Sequence, residues 1–192
     1  MKMRKGWRWF WGIAAALLVY HFDAITGQWK FNRLCETEAG ARYFEPVEGG
    51  VGWEVQANHD LGTDYVPALN LGAGFVRFTD KKGVRSDVRM TTPRFVRGGP
   101  KYSFSPVDEA LPVRYRYVYF GEEIDGDKRF KRYVTQLVDL KNDRIAASHT
   151  AIVYAWTASS RVLLNAPTGQ QCGVGGDGDK FFETILNQGA TK

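Results

Sequence analysis

From Val113 to Trp156 the chain reads as three strands separated by two turns, and no other stretch limits the possible folds so strongly. Val113, Tyr115, Tyr117 and Tyr119 alternate with Arg114, Arg116, Val118 and Phe120, a period of two that sends the two sets to opposite faces of a sheet. Ile124-Asp-Gly-Asp127 and Lys141-Asn-Asp143 carry residues that tolerate positive φ and bond their own backbone. They predict tight turns into Phe130–Leu140 and Arg144–Trp156. Turns that short join antiparallel neighbours, so an antiparallel meander is expected.

Upstream, the same logic gives shorter pieces. Trp53-Glu-Val55 follows Gly49, Gly50 and Gly52, Asn58–Asp64 is loop-like, and Gly72-Ala-Gly74 opens a run to Thr79. Asp80-Lys-Lys-Gly83 predicts a hairpin into Val84–Met90, with glycine where positive φ is needed. Pro93–Pro112 holds four prolines and Gly98-Gly99, which predicts a long irregular excursion. In Trp29–Phe44 the residues Phe31, Leu34 and Cys35 share one helical face, so a helix ending near Gly40 or Arg42 is expected. At the other end, Gly173–Gly178 is loop and Asp179 caps a short helix, Lys180–Gln188, that packs through Phe181, Phe182, Ile185 and Leu186.

The N-terminus speaks to location. Lys2, Arg4, Lys5 and Arg8 lead into an uncharged stretch from Trp9 to Phe22, with Trp7, Trp9 and Trp11 at one end and Tyr20 and Phe22 at the other. Basic residues and aromatic rings flanking an apolar centre are the pattern of a membrane segment. Trp7 to Phe22 as a helix reaches roughly 24 Å against a hydrocarbon core of about 30 Å. A cleaved signal needs small residues at the first and third positions before the cut, and Phe22 before Ala24 and Ile25 before Gly27 do not fit. A cleaved signal and an ordinary buried helix are the alternatives to an uncleaved anchor. The expected organisation is a cytoplasmic tail at 1–6, a single transmembrane helix at 7–22 in contact with the lipid bilayer, and an exported domain at 23–192. The expected location is a bacterial inner membrane, with the C-terminal domain in the periplasm.

Charge bounds the partners. The net charge of +5 comes from 26 basic and 21 acidic residues, and without the four leader charges 22 bases face 21 acids. Nucleic acid is not an expected partner. Residues 36–64 hold seven acids against Arg42, while residues 77–101 hold eight bases against Asp80 and Asp87. Such blocks either pair within the fold or meet a partner. Arg85, Arg89, Arg94, Arg97, Lys101 and Tyr102, with Phe104 beside them, form the expected contact surface, because arginine and aromatic rings dominate binding hot spots.

Cys35 and Cys172 are the only cysteines. An isolated pair in an oxidising compartment usually bridges. Cys35 also has Glu36 and Glu38 beside it and no nearby histidine, which argues against a reactive thiolate.

The motif Phe31-x-x-Leu34-Cys35-x-x-Glu38-Ala39-Gly40 stands with Tyr43 and Val47-Glu48-Gly49. Later come Tyr133-x-x-x-Leu137-Val138-Asp139, Ile145-Ala146 and Cys172. Together these residues resemble a group of small membrane-anchored proteobacterial proteins without an assigned activity. The resemblance implies export and the Cys35 to Cys172 staple, and it brings no catalytic residues.

Catalytic and metal patterns are weak. His59-Asp60, with Asp64 close by and His149 far along the chain, is half a metal site or an acid/base pair. Gly175–Asp179 resembles a calcium loop, but Phe181, Phe182 and Lys180 stand where ligands and glycine belong. No nucleophile elbow, phosphate loop, dinucleotide fingerprint or zincin helix occurs. No cofactor or metal is expected.

The expected fold is therefore α+β: a single N-terminal transmembrane helix, then one domain with an antiparallel β-sheet and short flanking helices. The expected function is a non-enzymatic, membrane-anchored interaction module binding an envelope or exported protein, in its sharper form an immunity-type protein. An exported hydrolase or metal-dependent enzyme using His59 and Asp60 is the alternative.

Overall fold

The computed structural model describes residues 5–56, 65–92, 99–155 and 169–173. A 33-residue helix, α1 (Lys5–Thr37), leads into β1 (Gly40–Tyr43) and β2 (Gly52–Gln56). A short helix, α2 (Tyr65–Asn70), precedes β3 (Phe75–Thr79), β4 (Arg85–Met90) and β5 (Tyr102–Ser105). Three long strands follow, β6 (Val113–Ile124), β7 (Asp127–Asp139) and β8 (Arg144–Ala155), and β9 (Gly169–Cys172) comes last.

The nine strands among the described residues share one sheet, in the order β1-β8-β7-β6-β2-β3-β4-β5, with β9 also on β8. The meander forms as the alternation predicts: β6, β7 and β8 pair antiparallel. Asp125 and Gly126 take positive φ in the first turn and Asp143 in the second. The 80–83 hairpin also forms, with Gly83 at φ 80 and the Asp80 carboxylate accepting the Lys82 and Val84 amides at 2.8 Å.

The sheet as a whole is mixed, which corrects the antiparallel expectation. β2 runs parallel to both β3 and β6. Parallel neighbours need a crossover, and α2 supplies it between β2 and β3. That helix carries Pro67 within six residues, too short for a 3.6 period to show; proline is tolerated in a first turn. Two other readings change. β5 lies inside the proline-rich excursion and pairs with β4. The first helix ends at Thr37, so Gly40–Tyr43 pairs with β8 as a strand. The expected helix at 180–188 and the Gly175–Asp179 loop lie outside the described residues.

The transmembrane expectation is overturned, and the inner-membrane, single-pass location with it: no helix among the described residues is long and apolar enough to cross a membrane. The reason is physical. Arg8, His21 and the indole and phenol rings dilute the apolar run, and Asp23 follows immediately, while about 16 residues fall short of the bilayer core. Instead α1 continues unbroken to Thr37 and docks its last part on the sheet.

Two clusters form the core. Trp53, Val55, Val76, Phe78, Val88, Tyr115, Tyr117, Leu137 and Ala147 line one sheet face, covered by Tyr65, Ala68, Leu69 and Leu71 from and just after α2. Phe130, Ile152 and Tyr154 pack with Phe31 of α1 and with Ile124. Phe130 and Leu137 are an odd number of residues apart on β7, as are Ala147 and Ile152 on β8, so the clusters occupy opposite faces. Each helix covers its own face.

Cys35 and Cys172 form a disulfide, with Cα atoms 5.9 Å apart and a sequence separation of 137. It ties α1 to β9. The docking is close: Phe31 stacks on Tyr154 at 5.9 Å and Tyr154 on Phe130 at 4.5 Å, and a side chain at Gly27 would collide with the Tyr154 ring.

Candidate interaction surface

β4 and β5 close one end of the strand order, and the alternation along them sorts the side chains. Val88 and Met90 stand opposite Phe104 and Tyr102, while Asp87 and Arg89 stand opposite Ser105 and Ser103. The first set belongs to the α2 face. There Tyr65 is surrounded edge-on by Phe78, Tyr102 and Phe104, with centroids 5.3 to 5.4 Å away. Tyr102 is half-buried in this cluster, whereas Phe104 is largely exposed.

The other face is charged. Arg77 and Asp87, 5% and 2% exposed, form a two-pronged ion pair at 2.9 and 3.1 Å. Segment 106–112 straps this pair: Arg77 donates to the Asp108 carbonyl at 2.6 Å, and the Asp108 amide donates to Asp87 at 3.0 Å. Glu109 reaches both Arg77 and Arg85. Burial alone pushes the Asp87 carboxyl up, but the Arg77 and Asp108 hydrogen bonds and the charges of Arg77 and Arg89 outweigh it and hold it below its ordinary value. Arg77 and Arg89 both lie over the Phe75 ring, at 5.8 and 5.5 Å.

The predicted contact set is thus divided. Arg85 and Arg89 project from the charged face and are exposed, Lys101 is exposed just before β5, and Tyr102 belongs to the opposite face. Arg94 and Arg97 lie outside the described residues. The acidic block finds partners in the meander: Glu54 pairs with Arg116, and Glu38 with Arg132, which also holds Glu122. The basic block turns to Asp87 and Glu109 instead. Sequence reasoning missed the buried Arg77–Asp87 pair. Its only signal is the spacing of two charges that the 80–83 hairpin places opposite each other.

His59 and Asp60 lie outside the described residues. His149 sits on β8, opposite Thr135 of β7 and Ala41 of β1. Among the described residues no three His, Cys, Asp or Glu side chains gather as a metal-binding group.

No family model, no curated protein and no solved structure matches this chain. What the fold and this surface define is a disulfide-stapled, mixed-sheet domain in which β4 and the residue before β5 carry exposed basic side chains and β5 carries the exposed ring of Phe104.

Proposed function

We propose that the chain is a non-enzymatic binding module that takes an exported protein with an acidic surface along its β4–β5 end. The observation that carries this reading is the exposure of Phe104, Arg89 and Lys101 around the strand that ends the sheet among the described residues. An end strand offers backbone groups for pairing, arginine and aromatic rings supply contact energy, and the basic charge steers an acidic partner. The Cys35–Cys172 disulfide supports a workplace in an oxidising compartment. An immunity-type partner, an exported toxin with an acidic face, fits this chemistry.

The test is affinity capture with the wild-type chain and with Arg89→Glu/Lys101→Glu. Both side chains are exposed, so the variant keeps its fold, and circular dichroism checks that. Capture of a defined partner by wild type and its loss in the variant supports the reading; equal capture overturns it. His59→Ala/His149→Ala retaining the partner and the host phenotype separates binding from hydrolysis.

A further inference from the structure

We propose that α1 lies along an anionic lipid surface, seated by the stripe Trp11, Phe22, Ile25 and Trp29, with the sheet domain held on the water side. The proposal is independent of the β4–β5 reading and involves no crossing of the bilayer.

The stripe is geometric. Trp11 and Trp29 are 18 residues apart, five turns at about 3.6 residues per turn, and Phe22 and Ile25 fall in the same arc. All four are more than half exposed, Phe22 and Trp29 at 66% each. The residues that dock α1 on the sheet, Gly27, Phe31, Leu34 and Cys35, lie on the other side of the helix. Trp29 falls midway between Gly27 and Phe31 in sequence and therefore points away from them. A helix resting on its stripe lifts the domain off the surface instead of colliding with it.

Charge and ring chemistry select the occupant. Lys2, Arg4, Lys5 and Arg8 crowd the N-terminal end, and the first acid is Asp23, so that end attracts anionic headgroups. Trp9, Phe10 and Ile13 are also more than half exposed, and the helical period puts them on the side away from the stripe. A second copy paired along the stripe would leave those rings in water. A lipid interface accepts indole and phenyl rings at headgroup level as well as beneath it. Exposed apolar area of this extent on one element marks a binding surface.

The test uses the full-length oxidised protein floated with two kinds of vesicle: phosphatidylcholine alone, and phosphatidylcholine mixed with phosphatidylglycerol. The expected result is flotation with the mixed vesicles, about tenfold or more weaker with phosphatidylcholine alone and weakened by high salt. Phe22→Glu/Ile25→Glu should reduce it by about tenfold or more, and Lys5→Glu/Arg8→Glu should remove the preference for anionic lipid. Phe22 and Ile25 are exposed and outside the sheet contacts, and resistance of Cys35 and Cys172 to alkylation verifies the fold of each variant. Failure of the wild type to float, or unchanged flotation of Phe22→Glu/Ile25→Glu, overturns the proposal. So does a wild-type dimer that Phe22→Glu/Ile25→Glu dissociates while flotation stays absent.

Discussion

Asp87 shows how far one side chain depends on its surroundings. Its carboxylate is almost fully buried and is held by the Arg77 guanidinium on one side and the Asp108 amide on the other. Removing one partner of a buried pair leaves a charge without compensation, so Asp87→Asn should cost about 3 kcal/mol or more in urea unfolding at neutral pH. The depressed pKa sets the sign of the acid response. Stability from Asp87 is fully present above the unfolded value of about 3.9 and is lost as pH falls through the lower folded value. Urea midpoints measured from pH 6 down to 2 should therefore fall more steeply in wild type than in Asp87→Asn. Gly173 is a second such position. It has φ 72, and a Cβ there would collide with the Thr150 carbonyl, so Gly173→Ala should lose about 1 to 3 kcal/mol in the same assay. Neither site is readable from sequence: Asp87 looks like any charge on a half-buried strand until segment 106–112 folds over it. Gly173 gains its role only from the neighbouring strand.

At the scale of elements, what was legible was local. The 80–83 hairpin and the β6–β8 meander announce themselves because their turn residues and their alternation lie within a few positions of each other. β5 is four residues, Tyr-Ser-Phe-Ser, in a stretch crowded with proline, and α2 is six with a proline inside, so neither carries a period long enough to detect. In α1 the apolar leader and the Cys35 helix read as separate pieces, a membrane segment and a helix leaving it. They are one helix because no proline or other break stands between Lys5 and Thr37. The staple was legible in the sequence, since the chain's two cysteines have only each other to pair with. Replacing both, Cys35→Ser/Cys172→Ser, removes closure of a loop with a sequence separation of 137 and should cost about 5 kcal/mol by chain entropy. Hydrogen exchange should then show faster opening of residues 27–37 than of β6 and β7, because the packing of Phe31 and Leu34 and the few polar contacts of Gln28 and Lys30 are left to hold that end.

At the scale of the molecule, the parts that escaped sequence reasoning are the long-range pairings. β2 joins β6 across some sixty residues, and β1 joins β8 across more than a hundred; no local pattern encodes either. Trp53 sits at the seam between the meander and the β2–β5 half, edge-on to Tyr115 at 6.1 Å. Trp53→Ala should destabilise by about 3 to 5 kcal/mol, and a single coincident transition by circular dichroism and tryptophan fluorescence would show that the halves melt as one. β1 and β9 meet end to end on the same margin of β8, one opposite residues 147–150 and the other opposite 152–155. A nascent chain that has already released β8 from the ribosome therefore carries a half-vacant ladder, and Cys35 remains an unmated thiol, until residues 169–173 emerge. Completion of the domain is timed by its last described strand.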